Sequence, residues 1–199
     1  MRGKAITAIL CATTATILLA EVRRRRTRAI DWSVLASLRG TAPRGLRRAV
    51  AVVEKPAAVL AQSVVLALVA ARKPRAAAAL LAAPSLALGA SLGAKHAFNR
   101  ARPPWHLFQR EGLSSFPSGH TAGTSALAWT LASVFRESPP LRIAGLAVAA
   151  AEIALVAYTR VSDCDHWPTD TLAGAAIGIA ASEALCLLTR SPAEPAPAA

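Results

Sequence analysis

Long apolar runs alternate along the chain with short connectors that are charged or rich in proline. Six runs are mostly uncharged, at residues 5–22, 49–71, 76–94, 121–135, 141–159 and 171–189. Since an α-helix rises about 1.5 Å per residue and the hydrocarbon core of a bilayer is about 30 Å thick, about 20 residues cross it. Most of the runs approach this length without the polar face of a soluble helix. The pattern predicts an all-α fold, a bundle of six transmembrane helices.

The connectors divide the chain into four parts. These are a first span at 1–22, an Arg-rich connector at 23–48, a helical core at 49–190 and a tail at 191–199. In the connector, Trp32 and alternating apolar positions over 31–38 predict a short helix in the membrane interface. The tail is rich in Pro and Ala and is expected to be disordered. The fourth run reaches a spanning length if its helix begins at Ser118.

The composition agrees with a membrane protein. Of 199 residues, 54% are hydrophobic and 17% are charged, whereas an ordinary soluble domain has about 25% charged residues. The formal net charge is +12. A basic soluble protein that binds nucleic acid would lack the long uncharged runs, so no nucleic-acid partner is expected. Three cysteines do not form a disulfide framework.

The distribution of basic residues gives an expected orientation. Because successive helices alternate in direction, the connectors after the first, third and fifth spans share one side of the membrane. That side holds 14 basic residues and the opposite side holds 8. By the positive-inside rule, this excess favours a multi-pass protein of the cell membrane in which this rim faces the cytoplasm. The extracytoplasmic face stays open as the alternative, because three of the 14 cations also have a chemical explanation.

The same alternation brings unusual polar residues to one rim of the bundle. Lys95, Arg102 and Arg160 are cations at the ends of apolar helices, where an unpaired charge is costly. Together they would neutralise a multiply charged anion such as phosphate. Ser118 and Gly119 stand where the fourth helix begins, and the free N–H groups of a helix N-terminus bind phosphate readily. The rim is therefore a candidate phosphate site.

Two histidines at this rim provide the chemistry for cleaving a phosphate ester. His166 and Asp170 are four residues apart, so Asp170 can accept the Nδ1–H of His166 and leave its other nitrogen a free base. His166 would attack phosphorus, while His120 would protonate the leaving oxygen and then activate water. The cations would stabilise the transition state, so neither a metal ion nor another cofactor is expected.

Three motifs resemble those of the type 2 phosphatidic acid phosphatase superfamily, which also includes vanadium haloperoxidases. They are Lys95 to Pro103 (Lys, six residues, Arg-Pro), Pro117-Ser118-Gly119-His120, and Arg160 to Asp170 (Arg, five residues, His, three residues, Asp). The resemblance covers residues 95–170 directly, with one departure, since Thr159 replaces the usual Ser and keeps its hydroxyl. It implies three catalytic residues, the nucleophile His166, its partner Asp170 and the general acid His120. It also implies five residues that bind the phosphoryl group, Lys95, Arg102, Ser118, Gly119 and Arg160.

The resemblance implies an integral membrane phosphatase whose substrate is phosphatidate, phosphatidylglycerol phosphate or a polyprenyl phosphate or diphosphate. Two alternatives stay open, a catalytically silent lipid-binding membrane protein and a vanadate-dependent enzyme similar to a haloperoxidase. The intact pair of histidines disfavours the first, and the six predicted spans disfavour the second. Glu152 and Glu183 lie inside predicted spans without a predicted role. The lipid and the oligomeric state do not follow from the sequence.

Overall fold

The computed structural model describes residues 2–70, 73–105, 114–134 and 138–188, and these residues form α-helices and no strands. The eight helices are α1 (Arg2–Arg23), α2 (Arg28–Leu38), α3 (Arg44–Val53), α4 (Pro56–Val69), α5 (Pro74–Ala97), α6 (Gly119–Val134), α7 (Pro139–Ser162) and α8 (Pro168–Leu188). The predicted all-α class is confirmed, and α2 matches the short helix predicted in the connector. The tail predicted at 191–199 lies outside the described residues.

The second predicted span is not a single helix. The sequence predicts one helix over 49–71, but the structure divides this run between α3 and α4, with Glu54 and Lys55 between them. Pro56 opens α4 and cannot continue α3, because proline has no backbone N–H and its ring clashes with the preceding turn. α4 therefore has only 14 residues, which rise about 21 Å.

Four helices are long and apolar enough to cross a membrane, namely α1 from Ala5 onwards, α5, α7 and α8. α6 begins at Gly119, directly after the predicted start at Ser118, and has 16 residues. α4 and α6 are thus shorter than the other four, and helix length alone does not establish the predicted count of six crossings.

The bundle has small residues inside and large apolar residues outside. Its centre contains the buried alanines Ala83, Ala87, Ala122, Ala126 and Ala181. The outer surface exposes large apolar side chains, including Ile9, Leu68, Ile143, Val148 and Leu188. Small residues let helices pack closely in lipid, and an outer surface of this kind suits hydrocarbon better than water. The chain is therefore a multi-pass membrane protein.

Helices α6 and α8 pack with their backbones in close contact through two glycines of α8. A Cβ atom added to Gly174 would overlap the carbonyl oxygen of Ser118, and one added to Gly178 would lie 2.7 Å from the Cβ of Ser125. At the end of this contact, the N–H of Ser118 donates to the carbonyl oxygen of Asp170 at 2.9 Å. The close packing thus joins the start of α6, which carries His120, to the start of α8, which His166 precedes by two residues.

Gly178→Ala is expected to lower the melting temperature of the detergent-solubilised protein, because the new methyl group forces α6 and α8 apart. Overpacking of this kind costs about 1–3 kcal/mol. The matched control is Gly93→Ala in α5, where an added Cβ meets no atom within 4 Å. Alanine is the better helix former, so the control should melt at the wild-type temperature or higher. Equal melting temperatures for the two variants would contradict the close contact.

Candidate active site

Four helices bring the predicted site residues to one end of the bundle. Lys95 lies in the last turn of α5 and Arg160 in the last turn of α7. Ser118 precedes α6, whose first two residues are Gly119 and His120. Arg102 follows α5, His166 lies between α7 and α8, and Asp170 lies in the first turn of α8. The predicted convergence on one rim is therefore observed.

The two histidines face each other. The ring centroids of His120 and His166 are 6.4 Å apart, and the ring planes make an angle of 65°. His166 is buried, with 2% of its surface exposed, whereas His120 is partly exposed. A small group between the rings can lie within hydrogen-bonding reach of both.

Asp170 lies beside His166 but does not hydrogen-bond to it in this structure. The distance from Nδ1 of His166 to Oδ2 of Asp170 is 3.6 Å, longer than a hydrogen bond. Oδ2 accepts the backbone N–H of Trp167 at 2.9 Å, and the buried Nδ1 has no hydrogen-bond partner among the described residues. Hydrogen bonds of this kind often shorten when a substrate binds. Because Nδ1 is the nitrogen nearer Asp170, Nε2 is the nitrogen available to a ligand.

The surroundings of His166 favour the neutral ring. Burial lowers the pKa of His166 below its usual range, and the positive charges of Arg102 and Lys95 lower it further. The carboxylate of Asp170 acts in the opposite direction but does not cancel these effects. A neutral imidazole has a free lone pair, which a nucleophile requires.

The start of α6 is capped by Ser118 and has open space beside its first turn. The side-chain oxygen of Ser118 accepts the N–H of Thr121 at 3.3 Å and its hydroxyl at 3.0 Å, so Ser118 caps the helix. A Cβ added to Gly119 would meet no atom within 4 Å, so there is open space beside the first turn. The exposed N–H groups and the positive end of the helix dipole favour an anion in this space.

Two of the three predicted cations lie close to His166. Nζ of Lys95 donates to the carbonyl oxygen of Ser114 at 2.8 Å, and Nη1 of Arg102 donates to the carbonyl oxygen of Asp165 at 2.6 Å. Both of these acceptors are neutral carbonyl oxygens, so these two hydrogen bonds do not themselves neutralise the positive charges. Lys95 and Arg102 therefore supply positive charge beside the histidines.

Arg160 lies in a cluster of carboxylates. Its guanidinium is 2.5 Å from Glu54, 2.7 Å from Asp165 and 3.7 Å from Asp163. Burial raises the pKa of Glu54 to about 7, although the charge of Arg160 lowers it. The carboxylates hold the Arg160 side chain at the rim, and a contact between Arg160 and phosphate stays a prediction.

Arg100 and Asp31 belong to the site although sequence reasoning gave them no role. Arg100 donates to Asp170 and to Asp31, each at 2.5 Å, and to the hydroxyl of Thr169 at 2.8 Å. Asp31 also accepts the N–H of Thr169 at 3.0 Å, so it caps the start of α8 from α2. Sequence signals existed, because Arg100 lies inside the first motif and Asp31 is the only acidic residue of the Arg-rich connector.

Two pairs of polar residues deeper in the bundle are joined by hydrogen bonds, whereas the buried hydroxyls of Ser91, Thr124 and Ser125 have no partner among the described residues. Glu183 accepts the indole N–H of Trp129 at 2.8 Å, and the hydroxyl of Thr130 donates to that of Ser182 at 2.8 Å. Within the ranges that the structure describes, no group of three His, Cys, Asp or Glu side chains could hold a metal ion.

Comparisons with known proteins agree with this arrangement. Residues 75–191, more than half of the chain, match the family described as the PAP2 superfamily. The chain is 34% identical over 94 residues to a lipid A 1-phosphatase of Porphyromonas gingivalis. That match covers 45% of this chain and 18% of the relative, so the chain spans less than a fifth of the relative's length.

A solved structure has the same fold. The crystal structure of a transmembrane PAP2-type phosphatidylglycerolphosphate phosphatase from Bacillus subtilis superposes with a TM-score of 0.73. The superposition covers 92% of this chain and 95% of that protein, and the sequences are 18% identical. At this identity the likeness establishes the fold.

Proposed function

Because the chain belongs to the PAP2 superfamily, we propose that it is an integral membrane phosphatase that hydrolyses a phosphate monoester or diphosphate of a lipid. The observation that carries the proposal is the pair of facing rings, His120 and His166, 6.4 Å apart at one end of a bundle of apolar helices. A reactive pair at this rim can reach a lipid headgroup while the acyl chains stay in the bilayer. The two phosphatases similar to this chain support a lipid as the substrate class.

The proposed reaction has two displacements at phosphorus. Nε2 of His166 attacks the phosphorus atom, a P–N bond forms, and the P–O bond to the lipid breaks as His120 protonates the leaving oxygen. His120 then removes a proton from water, and the resulting hydroxide breaks the P–N bond and releases phosphate. Lys95, Arg102 and the start of α6 stabilise the charge on the other phosphoryl oxygens in both steps. Asp170 holds the imidazole and stabilises its positive charge.

The connectivity supports six crossings. α5 ends and α6 starts at the site, while α7 ends there and α8 starts there. α6 must therefore return to the far side, where α7 begins. Glu54 binds Arg160 just before α4, so α4 also leads from the site side to the start of α5. The shorter α4 and α6 require local thinning of the bilayer. The orientation in which the rim faces the cytoplasm stays a prediction.

The proposal is tested by a substrate screen with the purified protein in detergent micelles. The substrates are phosphatidate, phosphatidylglycerol phosphate and a polyprenyl phosphate, and the readout is released inorganic phosphate in the presence of excess chelator. We expect the protein to release phosphate from at least one of these lipids, at a rate that the chelator does not change. Halide oxidation in the presence of vanadate is measured in parallel. Release of phosphate from none of the lipids would contradict the proposed function.

The pH dependence of kcat/KM is expected to shift upwards in Arg102→Gln. His166 must be neutral to attack phosphorus, so the rate falls as the pH falls through the pKa of this ring. The charge of Arg102 lowers that pKa, and its removal raises the pKa and moves the acid limb of the profile to higher pH. The phosphate of the free substrate has the same pKa in both assays. Any difference between the two pH profiles of kcat/KM therefore comes from the protein. Acid limbs that coincide would contradict a neutral His166 held by nearby cations.

A further inference from the structure

A cavity of about 610 Å³ adjoins the candidate active site without containing its histidines. Its walls come from the end of α1, from α2, from the chain just after α5, and from Trp167. The volume lies within the range of about 300–1,000 Å³ that small-molecule sites occupy. The cavity is therefore large enough for a lipid headgroup.

Three arginines that line the cavity have no carboxylate partner among the described residues. Arg23, Arg25 and Arg28 line it, while Arg24 and Arg26 of the same run lie outside it and approach Glu21 at 3.7 and 3.8 Å. All five arginines are exposed, and they differ in that only Arg23, Arg25 and Arg28 line the cavity. Three positive charges along one cavity wall favour an anion, and the guanidinium fork matches the oxygens of a phosphate.

Arg25 lies in the turn between α1 and α2. Its φ angle is +58°, in the left-handed region that side chains other than glycine rarely adopt. This conformation reverses the chain between α1 and α2, and Arg25 lines the cavity at that reversal. The N–H of Arg25 donates to the carbonyl oxygen of Val22 and that of Arg26 to Glu21, each at 3.0 Å, which is a common hydrogen-bond pattern where a helix ends with a left-handed residue.

The cavity shares a wall with the reaction centre. Arg100 lines it and donates to Asp170, and Trp167 lines it and follows the nucleophile His166 directly in the chain. These two shared residues place the cavity next to the reaction centre. Arg100 is committed to Asp31 and Asp170, which leaves the charges of Arg23, Arg25 and Arg28 for the ligand.

We propose that this cavity is a second anion site, which binds another phosphate group on the headgroup of the same lipid whose phosphate ester is cleaved. The inference rests on the proposed lipid phosphatase function and adds that lipids with a second phosphate group bind with a lower KM than lipids with one. Phosphatidylglycerol phosphate, which has a terminal monoester and a phosphodiester, is a suitable probe. Phosphatidate, with one phosphate, is its single-phosphate counterpart.

The test compares KM and kcat for both lipids in wild type, Arg25→Gln and the matched control Arg24→Gln. Loss of one charge-assisted contact should raise KM for phosphatidylglycerol phosphate about tenfold in Arg25→Gln, with kcat nearly unchanged. The variant should hydrolyse phosphatidate at the wild-type rate, which also shows that it is folded. Arg24→Gln should match the wild type on both lipids.

Further arms separate the headgroup of the substrate from other sources of phosphate. Phosphatidylglycerol, a phosphodiester, replaces neutral lipid in the micelles in one arm, and inorganic phosphate is added in another. The KM effect of Arg25→Gln should persist in both arms. The alternative result is that Arg25→Gln raises KM only when phosphatidylglycerol is present, and equally for both substrates. That result would show that the cavity binds a separate lipid molecule, and it would overturn the proposal. Hydrolysis of both lipids with unchanged KM values would overturn the second site alone, whereas hydrolysis of neither by the wild type would overturn the proposed function as well.

Discussion

His166→Ala is expected to lower the rate of phosphate release by about four orders of magnitude or more, because in the proposed mechanism His166 forms the covalent bond to phosphorus. The ring of His166 is buried, faces His120 and has a lowered pKa, so it combines position with a free lone pair. The measurement is the release of phosphate from the best lipid substrate of the screen. His166→Gln serves as a second variant that leaves a smaller void.

The matched control is His96→Ala, in the last turn of α5. His96 is exposed and one residue from Lys95, so its loss should leave the rate within about twofold of the wild type, since surface substitutions usually have small effects. Melting temperatures of all three variants show whether they are folded. Turnover by folded His166→Ala at the rate of His96→Ala would rule out His166 as the nucleophile.

Arg100→Met is expected to lower the free energy of unfolding by about 3–5 kcal/mol, the usual cost of removing one partner from a buried ion pair. The substitution leaves Asp31 and Asp170 without their shared cation, and these carboxylates are only 1% and 0% exposed. Activity should also fall, because Asp170 loses the contact that holds its carboxylate beside His166. The measurement is denaturant-induced unfolding in micelles, together with phosphate release.

A second substitution tests the reason for this loss. In Arg100→Met the two buried carboxylates lack their shared cation. Adding Asp31→Asn removes one of these two negative charges and should restore part of the lost free energy of unfolding. Arg24→Met removes an arginine whose ion pair with Glu21 is exposed to solvent, so it should change stability by less than about 1 kcal/mol. If Arg100→Met is as stable as Arg24→Met, the account of the buried network is wrong.

Most of the fold follows from the sequence because helix length and apolar composition are local properties. The run at 141–159 became α7, and the start of α6 directly after Ser118 was expected from the N-capping preference of serine. The run at 49–71 was misjudged because its average composition concealed a break. Glu54, Lys55 and Pro56 signal that break, since proline opens helices more readily than it continues them.

The site was predictable to the extent that connectivity and residue type determine it. Alternation of the helices and the four-residue spacing of His166 and Asp170 were sufficient to bring the reactive residues to one rim. The contacts of Arg100 with Asp31 could not be predicted, because they depend on how α2 packs against the start of α8. The carboxylates around Arg160 likewise come from two separate segments, the break between α3 and α4 and the turn after α7, which the sequence pattern does not relate.

The central claim, a phosphoryl group carried by His166, is tested most directly by trapping it. His120→Ala is mixed with a radiolabelled aryl phosphate, whose leaving group needs no proton, so the first step proceeds while the second lacks its base. The account predicts that a base-stable, acid-labile label accumulates on the peptide that contains His166, and that His166→Ala shows none. Release of labelled phosphate by folded protein without a label on His166, or with the label on another residue, would contradict it.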